Sequence, residues 1–239
     1  MKCILKRKIA GILPLIAVLV LTACSSGGNF NAIIDWVDFV MLENIQYTGV
    51  HSGSGQLEDS SVEAAIGEVK FNVSENVHDP GYKLKNGDAA FLTKGTKLHK
   101  IKGYRTEFRI AANVDGKWRI YEADSNPNAV KGSDLLDIGG KVSYIGINSE
   151  TDGITELGAI KDEAVIGKLV AMVLEAQVDQ NNQDHKGDRY FISFHLSDGT
   201  DVTRCYWMGT GKGLGELSRG IMLPGEFGDE IKKCLNLTE

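Results

Sequence analysis

Three Asp-Gly dipeptides constrain this chain more than any other feature: Asp115-Gly116, Asp152-Gly153 and Asp198-Gly199. Asp-Gly favours a two-residue hairpin turn because both central residues need positive φ, which glycine adopts freely and aspartate tolerates. Each dipeptide lies between two runs with strand character: residues 107–114 and 117–122, 140–147 and 154–159, and 190–196 and 201–208. A fourth hairpin is expected around Glu43-Asn44, between residues 36–42 and 45–50. Residues 68–73 alternate Val69, Phe71 and Val73 with polar neighbours, the period-two pattern of a half-buried strand. Short strands are expected at 89–92, 97–101 and 217–223, and a single helical turn at 61–66. Residues 51–60 read as a Gly/Ser-rich loop and 177–188 as a polar one.

Two segments carry a helical period. Ile166, Leu169, Val170, Val173 and Leu174 form one apolar stripe behind Asp162, an N-cap residue. Pro224 opens a last helix with Phe227, Ile231, Cys234 and Leu235 on one side. The expected fold is therefore β-rich α+β. Residues 31–125 should form a mostly antiparallel β subdomain, with a small barrel as one form it can take. Residues 134–239 should form an antiparallel sheet with two helices on one face. The turn-forming stretch 124–133 separates them.

The N-terminus has the three parts of a secretory signal. Lys2, Lys6, Arg7 and Lys8 are followed by an apolar stretch and then by Leu21-Thr22-Ala23-Cys24. Small residues at a cut site followed at once by cysteine resemble the lipobox of bacterial lipoproteins, in which the thiol receives the lipid. Residues 1–23 are read as the signal peptide, Cys24 as the lipidation site, and residues 24–30 as the tether. The 15 residues from 9 to 23 fall short of the roughly 20 a membrane-spanning helix needs, and Pro14 interrupts them. One acyl chain holds a protein marginally, whereas two or three hold it stably, at about 0.8 kcal/mol per buried methylene. The localisation expected is the extracytoplasmic face of the cell membrane.

Several strings together resemble a group of extracytoplasmic lipoproteins from Gram-positive spore-forming bacteria. They include Asp35-Trp36-Val37-Asp38-Phe39, Gly67-Glu68-Val69-Lys70-Phe71, Val142-Ser143-Tyr144-Ile145-Gly146-Ile147-Asn148 and Arg219-Gly220-Ile221-Met222-Leu223-Pro224. The resemblance spans most of the mature chain and agrees with the lipobox. It implies no activity, ligand or catalytic residue.

Removing residues 1–23 leaves 216 of the 239 residues and takes away four Lys/Arg and no acids, so 22 basic residues face 32 acidic ones, a formal balance of −10. Such a surface argues against nucleic acid and against docking on anionic lipid, so the lipid on Cys24 must supply attachment. With Cys24 acylated, Cys205 and Cys234 remain. The two-residue Asp198-Gly199 turn would set Ile192 opposite Cys205, placing Cys205 and Trp207 with Tyr190, Ile192, Phe194 and Leu196 on the core face. Cys234 points to the same core, so Cys205 and Cys234 are a candidate disulfide in an oxidising compartment.

The remaining candidates fail on spacing. The loop from Gly209 to Gly215 lacks the Ser or Thr that follows Gly-Lys in a phosphate-binding loop, and Leu214 replaces the third glycine of the dinucleotide pattern. Asn148, Glu150 and Asp152 have calcium-loop spacing, but Ala159 stands where a bidentate Glu is required. Asp124, Asn126 and Asn128 repeat part of it, with Ala129 in place of glycine. Asp179, Asp184, His185 and Asp188 form an acidic loop with no fixed geometry, and His78-Asp79-Pro80-Gly81 is a polar turn. The two-residue register puts His195 and Cys205 on opposite faces, which denies them a nucleophile–base bond. No catalytic, cofactor or metal residues are expected. The chain reads as a non-enzymatic binding or interaction lipoprotein. The alternatives are an envelope enzyme with a site of dispersed residues and a structural module.

Overall fold

A computed structural model describes residues 34–50, 57–182, 185, 187–209 and 213–237. The first hairpin, β1 (Phe39–Leu42) and β2 (Ile45–Gly49), turns at Glu43 and Asn44 with φ of 52° and 64°, the double positive φ of a type I′ turn. After it come β3 (Val62–Glu68), β4 (Phe71–Asn72), α1 (Val73–Asn76), β5 (Asp88–Ala89) and β6 (Lys97–Ile101). The hairpin of β7 (Arg109–Val114) and β8 (Lys117–Ser125) closes the group through Asp115-Gly116, with Val114 opposite Lys117. The sheet order is β3-β6-β7-β8-β2-β1-β5-β4. It curls into a half-barrel and stays open between β3 and β4 rather than closing.

The second sheet has the order β10-β9-β11-β12-β13-β14. Its strands are β9 (Val142–Asn148), β10 (Glu156–Ile160), β11 (Arg189–Leu196), β12 (Asp201–Trp207), β13 (Gly215–Leu217) and β14 (Ile221–Leu223), every pair antiparallel. A short α2 (Gly132–Leu135) precedes them, α3 (Glu163–Glu175) follows β10, and α4 (Gly225–Leu235) ends the described chain. Ile166, Leu169, Val170 and Val173 of α3 share one core with Phe227 and Ile231 of α4. Ile145, Ile147, Ile192, Phe194, Val202 and Tyr206 from one face of the sheet complete it. No helix among the described residues is long and apolar enough to cross a membrane.

The Asp162 carboxylate accepts from the Val165 N–H at 3.0 Å and caps α3. Asp162→Ala should lower stability by about 1 kcal/mol in a urea melt, with the loss confined to the cap. An unchanged midpoint would show that packing of the apolar stripe alone holds the helix.

Four local expectations are corrected. Residues 62–66 extend as β3, because pairing with β6 overrides the helical preference of Glu63-Ala64-Ala65; only Asp59–Ser61 makes a short 3-10 turn. The run 68–73 is split, since the N–H groups of Lys70 and Phe71 both reach the Gly87 carbonyl and bend the chain between β3 and β4. Residues 217–223 are a tight hairpin, with Arg219 and Gly220 at φ of 77° and 75°.

The fourth correction is the register of β11 and β12. His195 rather than Leu196 faces Asp201, and the Leu196 N–H bonds the Thr200 carbonyl, so the loop has three residues with Gly199 at φ 83°. A three-residue loop with glycine in the left-handed position is the next commonest hairpin solution. A one-residue slip turns every later side chain to the other face. Ile192 therefore faces Arg204, and Phe191 faces Cys205. Cys205 leaves the core face and Arg204 takes a place there.

Candidate functional site

The slip brings Arg204 into a buried cluster of charge that joins the two sheets. The Asp115-Gly116 turn sets Arg109 opposite Glu122 on the first sheet. Arg109 is fully buried, and its Nε and a terminal nitrogen donate to Glu122 Oε1 at 3.0 and 2.6 Å. Its other terminal nitrogen donates to Thr200 Oγ1 at 2.8 Å, and the nitrogen bonded to Glu122 also donates to the Asp201 carbonyl, both acceptors on the second sheet's hairpin. Arg204 lies 2.7 Å from the other carboxylate oxygen of Glu122. Burial alone would raise the Glu122 carboxyl; Arg204, Arg109 and Arg219 together outweigh it and hold the group at about 2. The cluster is not fully satisfied, since Arg204 Nε and its second terminal nitrogen are buried without hydrogen-bond partners; Asp201 Oδ1, on the other face of β12, is buried without one as well. Burial pushes the Asp201 carboxyl up.

Beside this cluster opens a polar cleft of about 280 Å³, lined by Asp124, Asn126, Leu135, Gln180, Asn182, His185, Glu216, Arg219 and Gly220. Arg219, on the β13–β14 turn, donates to Asp124 Oδ1 through Nε and a terminal nitrogen at 3.0 and 2.8 Å, and to the Ala123 carbonyl. Burial and the nearby Arg204 lower its pKa to about 10, so it stays charged at neutral pH. Glu216 is 4% exposed; its Oε2 accepts from Asn182 Nδ2 at 2.6 Å and lies 3.1 Å from His185 Nδ1. The His185 ring stacks on Trp207 with centroids 4.0 Å apart and planes at 13°. Gln180 donates to the carbonyls of Asn126 and, more weakly, Ala129, at 2.8 and 3.5 Å. The loop itself is pinned from both sides. Val178 N–H bonds the Val130 carbonyl, Asp179 N–H bonds the Gly220 carbonyl, and Met222 N–H bonds the Gln177 carbonyl.

Apart from Asp124, Asn126 and His185, the sequence-derived candidates fall elsewhere. Cys24 and its tether lie outside the described residues, as do His51, Asp184 and residues 210–212. Cys205 and Cys234 are free thiols rather than a disulfide. Cys205 sits opposite Phe191 on the face turned away from the helices, while Cys234 on α4 packs toward the Gly158 position of β10. Burial pushes both thiols up, which keeps them protonated and unreactive. His195 and Cys205 share a face after all, but they stand four strand positions apart across the ladder, about 13 Å along it, well beyond hydrogen-bond reach. His195 instead stacks on Tyr144 at 4.0 Å.

The calcium-like spacing of Asn148 and Asp152 serves the hairpin. The Asn148 amide donates to the Gly153 carbonyl and to Ser193 Oγ, both at 3.0 Å. Asp152 accepts from the Thr155 hydroxyl and from the N–H groups of Thr155 and Ile154, which hold its carboxyl at about 2. Asn126 Oδ1 accepts from the Asn128 N–H, Asp79 Oδ1 from the Gly81 N–H, and Asp179 Oδ1 from the Asn181 N–H, each closing its own turn.

Among the described residues, His185 is thus the only one of the acidic-loop candidate that lines the cleft, while Asp124 and Asn126 enter it from a different candidate. The sequence reading missed Glu216, Arg219, Gln180 and Asn182. It also missed Arg109 and Glu122, although one signal was available: the predicted turn already places these opposite charges face to face. No family, curated protein or solved structure matches the chain.

Proposed function

We propose that this chain is a lipid-anchored extracytoplasmic binding protein, held to the membrane by lipid on Cys24 and receiving a small ligand in the cleft at Gln180, Glu216 and Arg219. The cleft carries the reading. Its charged and polar groups are engaged with one another, Arg219 with Asp124 and Glu216 with His185 and Asn182. Such an arrangement holds polar walls in a fixed geometry and suits recognition more than attack. The Leu21-Thr22-Ala23-Cys24 motif supports the tether, and the acidic mature surface leaves lipid as the means of attachment.

The tether is tested by Cys24→Ser. The variant should lose palmitate labelling and move from the membrane fraction to the soluble extracytoplasmic fraction. Persistent labelling and membrane association would show that Cys24 is not the anchor.

A further inference from the structure

We infer that the cleft takes a neutral, hydroxyl-rich ligand of the saccharide class. The inference rests on reading the protein as a binding lipoprotein and adds the chemistry of what it binds.

Charge comes first. Asp124 and Glu216 oppose entry of a phosphate or carboxylate. Arg219, with Arg204 close to it, opposes entry of an amine or metal cation. Paired in this way, the walls present dipoles and hydrogen-bonding atoms without a strong net sign, and a neutral ligand forfeits least on leaving water.

Hydrogen-bonding capacity sharpens the class. Among the described residues, Asp124 Oδ2, Glu216 Oε1 and Gln180 Oε1 accept no hydrogen bond, because the bonds of these side chains run through Asp124 Oδ1, Glu216 Oε2 and Gln180 Nε2. Acceptor capacity is left at these atoms and donor capacity at Asn126 Nδ2, since the side-chain bond of Asn126 runs through Oδ1, so the cleft calls for ligand groups that both donate and accept. Hydroxyl groups supply donors without charge, and neighbouring hydroxyls match the two-oxygen geometry of a carboxylate.

Shape agrees. His185, backed by Trp207 at 4.0 Å, is a flat ring on the cleft wall, suited to the apolar C–H face of a sugar ring. The volume of about 280 Å³ is near the lower end of small-molecule sites, room for a single ring.

The test uses the full-length lipoprotein in detergent micelles and saturation-transfer NMR. The probes are glucose and N-acetylglucosamine, with inorganic phosphate and putrescine as charged comparators. Saturable binding of a saccharide is expected, weakened at least tenfold by Glu216→Gln. Asp124→Asn, on the exposed rim, should weaken it in the same direction and keeps the test decisive if Glu216→Gln unfolds the loop. Binding of phosphate or putrescine instead, sensitive to the same substitutions, would overturn the saccharide class while leaving the cleft as a binding site. Binding of none of the probes, or saccharide binding indifferent to both substitutions, would overturn both.

Discussion

Glu122→Gln is expected to destabilise the protein by about 3–5 kcal/mol in urea denaturation at neutral pH, the usual penalty for removing one partner of a buried ion pair. The carboxylate is shared: Arg109 takes one oxygen and Arg204 the other. Without the charge, two guanidiniums stay buried with only the more distant carboxylates of Asp198 and Asp201 acting on Arg109, and the bonds from Arg109 to the Thr200 hydroxyl and the Asp201 carbonyl do not neutralise them. A loss below about 1 kcal/mol would mean that the cluster is far better hydrated than its burial implies. Removing all three charges at once, Arg109→Met with Glu122→Leu and Arg204→Met, should cost less than the single substitution, because no uncompensated charge is left behind.

The pH dependence has a definite sign. The folded pKa of Glu122 lies near 2, below its ordinary 4.5, so the unfolded chain takes up the proton first. The contribution is complete above about pH 4.5 and is lost as pH falls toward 2. The stability gap between the native protein and Glu122→Gln should therefore narrow over that window. A gap that stays constant down to pH 3 would place the effect in packing rather than charge.

Gly220→Ala should cost on the order of 2–4 kcal/mol and disturb the cleft. Gly220 has φ of 75°, and a Cβ there would lie 2.1 Å from the Asp179 carbonyl oxygen and 2.5 Å from its carbon. Those are backbone atoms, so the 179–182 loop must move away, stretching the bond from Asp179 N–H to the Gly220 carbonyl. Hydrogen exchange at Asp179 should accelerate along with the fall in denaturation midpoint. Gly199→Ala is the control. Its φ of 83° carries similar backbone strain, yet a Cβ there meets nothing within 4 Å, so only about 1 kcal/mol should be lost. Equal losses at the two positions would show that the approach of Asp179 is unimportant and that both losses are backbone strain alone.

The legible parts of this fold are those with short-range causes. Asp115-Gly116 and Glu43-Asn44 made the two-residue turns expected of them, and the stripe behind Asp162 became α3. The less legible parts depended on partners distant in sequence. Glu63-Ala64-Ala65 became strand because β6 was there to pair with it. The polar loop 177–188 offered only an acidic candidate without fixed geometry, because Gln180, Asn182 and His185 acquire meaning only against Asn126 and Glu216, at least 31 positions away.

The sequence by itself determined the antiparallel β-rich architecture and the two helices that cover one face of the second sheet, because each rests on periodicity or on residues adjacent in the chain. The tertiary structure alone decided which side chains face inward on β12. Asp198-Gly199 is compatible with a two-residue or a three-residue loop, and the choice fell to packing: the adopted register buries Val202 and Tyr206 with Ile192 and Phe194, and lets Arg204 meet Glu122. One residue of slip thus separates a cysteine in the core from an arginine in a buried charge cluster beside the cleft, since side chains alternate along a strand with period two.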